Sequence, residues 1–349
     1  MTDQRATDAG AESAELEPAV LEVRNLAMSY ELKEGEMVSA VDDVTFSLPK
    51  GRSLGLVGES GCGKTSVALT LIGLAAGNAR VLGGEVLLEG ENLLKLSDEE
   101  MRLRRWNDVS MVFQGAMNSW NPVYTVGEQI REAMDLHRRP RPKAKEARRR
   151  IEDLFNLVGV NPDMIDRYPH ELSGGMKQRA VIAMALSCDP KLIIADEPTT
   201  ALDVIVQEQI LEELRRIQSD LGMSIIYISH DIAVIAEITD LLGVMYAGKL
   251  VELGTTADIF AKPRHPYAWL LLSSTPSITG PRRALAPLEG EPPDLIDPPT
   301  GCRFHPRCPF VSDRCVAEAP PLSEAAPGHS IACWRHEMTP VGLSGAAPS

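Results

Sequence analysis

The sequence predicts an α/β protein with a largely parallel core, an inserted helical block and a small C-terminal module rich in proline and cysteine. Three observations carry that expectation. Short apolar runs of strand character alternate with amphipathic helical runs along most of the chain. One such run, residues 52–57, leads into Gly58-Glu59-Ser60-Gly61-Cys62-Gly63-Lys64-Thr65, which fits G-x-x-x-x-G-K-[ST] and opens a helical pattern. Another, Leu192-Ile193-Ile194-Ala195, ends in the acidic pair Asp196-Glu197.

In chain order, residues 1–18 read as a flexible acidic tail, poor in apolar runs. Residues 21–24 alternate as a strand should, a short polar insertion follows at 31–36, and residues 41–48 alternate again. The helix after Lys64 is marked by Val67, Leu69, Leu71, Ile72 and Leu74. Strand character returns at 83–88 and at 109–113. From 125 to 186 the pattern is mainly helical, with breaks at Asn161-Pro162 and Tyr168-Pro169, so residues 115–188 read as an inserted subdomain. Strands at 192–195 and 224–229 flank a helix over 206–220. Beyond residue 261, prolines, polar turns and four cysteines replace the periodic pattern. The expected division is therefore a main domain over 19–260 and a separate module over 261–349.

A chain of 349 residues can hold one large α/β domain with an appendage, or two modest domains. No apolar run reaches the length of a spanning helix. The acidic N-terminus lacks the basic start and apolar segment of a secretory signal, which points to the cytosol. A net charge of −14 opposes a general nucleic-acid binder, since phosphate backbones require a positive face. The one basic run, residues 138–150, is broken by Pro140 and Pro142 and passes into the helical pattern Ile151, Leu154, Phe155, which suits a solvated helix face.

The glycines at 58, 61 and 63 let backbone N–H groups turn toward phosphate oxygens, and the following helix adds the positive end of its dipole. Lys64 is expected to reach the β- and γ-phosphates and Thr65 to offer its hydroxyl to Mg²⁺, with Ser66 next to it in the first helical turn. Glu59, Ser60 and Cys62 fill the variable loop positions, Cys62 as a small filler rather than a nucleophile. Asp196, on a rigid apolar strand, suits a metal ligand beside the phosphates. Ser173-Gly174-Gly175 begins a further helix, and a serine with two glycines at a helix N-terminus forms an anion site.

The phosphate loop, then Leu172-Ser173-Gly174-Gly175-Met176-Lys177-Gln178, then Asp196-Glu197-Pro198-Thr199-Thr200-Ala201-Leu202-Asp203, resembles the ATP-binding subunits of ABC transporters. That resemblance spans most of the chain. It implies a P-loop NTPase domain with antiparallel N-terminal strands, a mixed-sheet core and a helical subdomain, binding ATP and Mg²⁺. It implies that Asp196 holds the metal, that Glu197 is the general base, that Gln114 contacts metal and water, and that His230 touches the γ-phosphate. Tyr30 matches the aromatic that stacks on adenine, a plain strand-end tyrosine being the alternative. Ser173, Gly174, Gly175 and Gln178, with Asp203 in the later loop, would close on ATP held by a second subunit. Only one such domain is present, so a partner ATPase is implied.

Phe113-Gln114-Gly115-Ala116-Met117-Asn118-Ser119-Trp120-Asn121-Pro122-Val123 and His265-Pro266-Tyr267-Ala268-Trp269-Leu270-Leu271 narrow the resemblance to oligopeptide/dipeptide importers, although leucine is more usual than Trp120. Tyr168-Pro169-His170-Glu171 points the same way, and Met176 with Ile182-Ala183-Met184-Ala185-Leu186 resembles the first of that group's two ATPase types. The implied protein is a peptide-transporting ATPase at the cytoplasmic face of the membrane. Its implied partners are a second, similar ATPase, two permeases docked near residues 115–135, and an extracytoplasmic solute-binding protein. Nickel, heme-like or sugar cargo also occurs among relatives. A soluble ABC ATPase is the alternative class, but neither a second nucleotide domain nor a long coiled coil is present.

Cys302, Cys308, Cys315 and Cys333 are spaced C-x5-C-x6-C-x17-C. A disulfide framework does not suit a reducing cytosol, whereas four thiolates in a core-poor module suit an iron–sulfur cluster or zinc. Free thiols remain a third reading. The same family has a similar C-terminal cysteine pattern, and the resemblance implies a four-iron cluster. His305, His329 and His336 have no spacing argument as substitute ligands, and Cys188 reads as a core residue.

Overall fold

The computed structural model describes residues 18–33, 35–200, 202–274 and 290–337. The tail expected over 1–18 lies outside them apart from Pro18. The first elements are β1 (Ala19–Glu31), β2 (Met37–Pro49), β3 (Ser53–Val57), α1 (Lys64–Leu71), β4 (Ala79–Leu88), β5 (Glu91–Asn92), α2 (Asp98–Arg104) and β6 (Val109–Val112). The alternating N-terminal segments form a four-stranded antiparallel sheet in the order β2-β1-β4-β5, with strands longer than their sequence signal.

The inserted helical block lies between β6 and the next strand, as expected. It contains α3 (Val126–His137), α4 (Ala144–Leu157) and α5 (Gly174–Ala185). Thr125 and Glu128 cap α3 reciprocally: Glu128 N–H donates to Thr125 Oγ1 at 3.2 Å, and Thr125 N–H to Glu128 Oε2 at 2.8 Å. The two X-Pro breaks open short 3₁₀ turns at Pro162–Asp166 and Pro169–Glu171. The basic run is matched by acids: Arg148 pairs with Glu152 and Asp166, Arg141 with Asp135, and Arg138 and Arg150 with Asp189.

The chain continues through β7 (Leu192–Asp196), α6 (Val204–Leu221), β8 (Ser224–Ser229), α7 (Ile232–Ile238), β9 (Leu241–Tyr246), β10 (Lys249–Thr255), α8 (Thr256–Ala261), α9 (Pro266–Ser273), α10 (Asp313–Ala317), β11 (Ser323–Ala326) and β12 (His329–Ile331). An eight-stranded sheet runs β11-β12-β10-β9-β3-β8-β7-β6, parallel from β9 to β6 and antiparallel beyond. Because both faces are covered, β3 and β7 are buried at every position and β8 at all but its last. Ile193 and Ala195 of β7, with Ile225 and Tyr227 of β8, join the core on the helical side. Leu192, Ile194, Ile226 and Ile228 face the core shared with the antiparallel sheet.

Residues from 261 onward, expected as a separate module, pack onto the main domain. β12 pairs with β10 through Glu252↔Ile331 and Leu253↔Ser330. Phe304 is buried against Tyr246 and Tyr267, with ring centroids 5.1 and 5.4 Å away. Strands of three or four residues leave no periodicity to read, so prolines, polar turns and cysteines are the signals that mark this region. The fully buried Glu252 fastens this junction. It accepts from the backbone N–H groups of Arg264 at 2.9 Å and His265 at 2.8 Å, and pairs with His329 Nε2 at 2.7 Å. Replacing Glu252 with alanine strands these groups away from water and is expected to destabilise the protein by about 3 kcal/mol, whereas a loss under about 0.5 kcal/mol in denaturant melts would contradict this role.

Candidate nucleotide site

The site lies where β3, β6, β7 and β8 end. Buried β3 delivers the chain into the loop 58–63, which returns at Gly63, φ +103, to start α1. The conformation admits no side chain there, since a Cβ on Gly63 would lie 2.2 Å from the Ala40 carbonyl oxygen. Ser60, Gly61 and Thr65 are exposed while Lys64 is buried, so the loop presents its rim to solvent and holds its cation beneath. Lys64 Nζ donates to the carbonyls of Gly58 at 2.7 Å and Glu59 at 3.0 Å. Cys62 is buried and burial pushes its thiol up, which fits filler rather than nucleophile.

Asp196 closes β7 and is buried, and its Oδ1 has no hydrogen-bond partner. Burial raises its pKa, opposed in part by a hydrogen bond from Thr65. A sealed carboxylate oxygen without a donor, beside the Thr65 hydroxyl, is a donor set that suits Mg²⁺. Glu197 is the next residue and has the opposite balance. Burial pushes it up, but hydrogen bonds from His230 and Thr200 outweigh this and hold it below the usual carboxylate range. Its Oε2 accepts from Gln114 Nε2 at 2.7 Å and from Thr200 Oγ1 at 2.9 Å, while Oε1 lies 3.0 Å from His230 Nδ1. Glu197 sits at φ +45, a left-handed backbone that side chains seldom adopt outside functional sites.

The structure thus brings Gln114, Glu197 and His230 into one cluster. Tyr30 lies over the start of α1 with its hydroxyl 3.1 Å from Ser66 Oγ. Ser173 caps α5 by accepting from Met176 N–H at 3.3 Å, and Gly174 beside it is exposed. Gln178 is only 3% exposed, on the packed side of α5. Asp203 is exposed, and its Oδ1 caps α6 by accepting from Val206 N–H at 3.0 Å.

Sequence reasoning assigned no site role to Thr200, Tyr267 or Trp120. The Tyr267 hydroxyl accepts from Glu59 N–H at 2.9 Å, across a separation that no local pattern signals. Trp120 donates its indole N–H to the Lys177 carbonyl at 3.3 Å, linking the Gln114 loop to the first turn of α5.

Cys302, Cys308, Cys315 and Cys333 line one cavity with Phe304, Phe310 and Trp334, and all four are free thiols. Burial pushes Cys308 up to about 12 and Cys333 to about 11, with the neighbouring cysteines adding to both shifts. The donor chemistry suits a soft metal or cluster. Among the described residues, however, no group of three or more His, Cys, Asp or Glu side chains is placed to hold a metal ion.

The ABC transporter family model matches residues 41–200, and that of the oligopeptide/dipeptide transporter C-terminal region matches residues 251–315. The chain is 46% identical over 323 residues to the dipeptide transport ATP-binding protein DppD of Bacillus subtilis, covering 91% of this chain and 95% of that one. It is 43% identical to the oligopeptide transport ATP-binding protein OppD of Escherichia coli, covering 91% and 93%. Among solved structures it is similar to the dimeric ATP-binding cassette MJ0796 bound to ADP and Pi, with TM-score 0.61 and 25% identity over 68% of this chain and 98% of that one. It is also similar to cbiO1 from Clostridium perfringens, part of the transporter complex cbiONQ, with TM-score 0.61 and 26% identity over 70% and 92%. With the phosphate loop, the buried Asp196 and the Glu197 cluster in one site, this chain belongs to the ABC transporter ATPases, in the group that carries the oligopeptide/dipeptide transporter C-terminal region.

Proposed function

We propose that this chain hydrolyses ATP to drive the import of di- and oligopeptides. The observation that carries the catalytic part is Glu197 held by Gln114, Thr200 and His230 beside a buried, unpartnered Asp196 oxygen. Lys64 and the loop N–H groups bind the phosphates, and Asp196 and Thr65, assisted by Gln114, would hold Mg²⁺. When bound, Mg²⁺ neutralises charge on the phosphate oxygens. Glu197, kept ionised, accepts a proton from the attacking water, Gln114 orients that water, and His230 faces the γ-phosphate. Tyr30 offers its ring to adenine while Ser66 fixes its hydroxyl.

The second half of each site comes from a similar ATPase, whose serine and glycines at the positions of Ser173, Gly174 and Gly175 close on the γ-phosphate. Exposed Val204 and Ile205, next to Asp203, support a closing face there, and MJ0796 is described as dimeric. Exposed Phe113, Val123 and Tyr124 beside the Gln114 loop support docking of two membrane permeases. No helix among the described residues is long and apolar enough to cross a membrane. The proposal places the chain at the cytoplasmic membrane face through those permeases, with an extracytoplasmic binding protein delivering peptide. The names of the B. subtilis and E. coli relatives support the cargo.

The four C-terminal thiols are proposed as ligands of a four-iron cluster, with zinc as the alternative metal, on the strength of their shared apolar cavity. Ligation requires the thiols to lose their protons.

Glu197→Gln is expected to keep ATP binding and lower hydrolysis by about a hundredfold or more, trapping a closed ATP-bound dimer; undiminished turnover would refute the choice of base. Asp196→Asn is expected to abolish the Mg²⁺ dependence of ATP binding in titrations with and without the metal, and a retained dependence would remove Asp196 as ligand. Anaerobically purified protein is expected to be brown, with visible absorbance lost on cysteine substitution. A colourless, iron-free but fully folded preparation would end the cluster assignment.

A further inference from the structure

The segment Cys302-Arg303-Phe304-His305-Pro306-Arg307-Cys308, far from the phosphate loop in sequence, bonds one end of it directly and reaches the other through Ala247 and Gly248. Arg307 is almost buried and makes a bidentate pair with Glu59, Nη1 to Oε2 at 2.7 Å and Nη2 to Oε1 at 3.1 Å. The same guanidinium donates to the Tyr246 hydroxyl at 3.3 Å. Glu59 is thereby held through its side chain by Arg307, through its N–H by Tyr267 and through its carbonyl by Lys64. At the other end, Cys62 accepts through its carbonyl from Gly248 N–H at 2.9 Å. The preceding carbonyl, that of Ala247, accepts from buried Arg303, which also bonds Ser39 Oγ at 3.1 Å and Asp42 Oδ2 at 2.6 Å. Phe304, between the two arginines in sequence, packs against Tyr246 and Tyr267 and fixes where both guanidiniums emerge.

We infer that the stretch between the first two C-terminal cysteines is a clamp on the phosphate-binding loop, with Arg307 as a positioning residue for ATP binding. The loop has left-handed glycines at 61 and 63 and has few side chains of its own to hold a shape. Its N–H groups must nevertheless converge on one triphosphate. A nearly dry, two-pronged guanidinium–carboxylate contact supplies both direction and rigidity, which a single-point cation cannot. Nucleotide affinity is therefore set partly by the C-terminal module.

The test is titration of the full chain with fluorescent ATP, comparing Glu59→Gln, Arg307→Gln and the double variant, with nucleotide-free melting as the check on folding. Each single variant is expected to raise Kd by about tenfold, the scale of a charge-assisted bond, and the double variant to raise it no further because one interaction is lost in all three. Should Arg307→Gln not fold, Arg307→Lys, which keeps the charge but loses the fork, carries the same comparison. Wild-type affinity in either single variant, or losses that add in the double variant, would overturn the clamp.

Discussion

Everything at the reaction centre depends on one carboxylate being held from several sides at once. Glu197 follows β7, Gln114 follows β6, and His230 follows β8, and the three strands are parallel neighbours in matched register. Val112, Ala195 and Tyr227 stand level across the sheet, so the residues just beyond them emerge at the same height, with strands about 4.8 Å apart. His230 is 67% exposed and Glu197 17%, so the donor reaches in from solvent toward a sheltered acceptor. Adjacent Asp196 and Glu197 shift in opposite directions because burial outweighs the single Thr65 bond on one, while several donors ring the other. In the proposed mechanism that division would separate metal binding from proton transfer between two neighbouring acids.

Much of this centre was readable because its motifs are contiguous. A glycine loop, an Asp-Glu strand end and a serine before two glycines each carry their chemistry within a few residues, and each lies where the reading put it. The central strands were legible as apolar runs, and the helical insertion as a change of period with prolines at its breaks. What could not be read depends on contacts between distant segments. β9 and β10 had no assignment, although the apolar run at 241–246 was in view. Burial of Gln178 was invisible because the helix face it occupies is decided by packing against other elements. The Thr200 contact on Glu197 lies inside a recognised loop, yet its geometry needed the turn itself.

The C-terminal region shows why composition alone misplaces a boundary. Proline and short turns suggest a self-contained appendage, yet its strands extend the main sheet and Phe304 completes an aromatic cluster of the central fold. A segment with so little apolar surface cannot hold itself together alone. Here it gains that surface from Tyr246 and Tyr267, while its cysteines gather around a cavity that Phe304, His265 and Pro266 also line.

The pairing of β12 with β10 also governs solubility. A chain shortened before residue 323 would leave Glu252 and Leu253 with bare backbone donors and acceptors at a new edge of the sheet. Such an edge recruits strands from other molecules, so trimming this tail converts a covered margin into an aggregation seed.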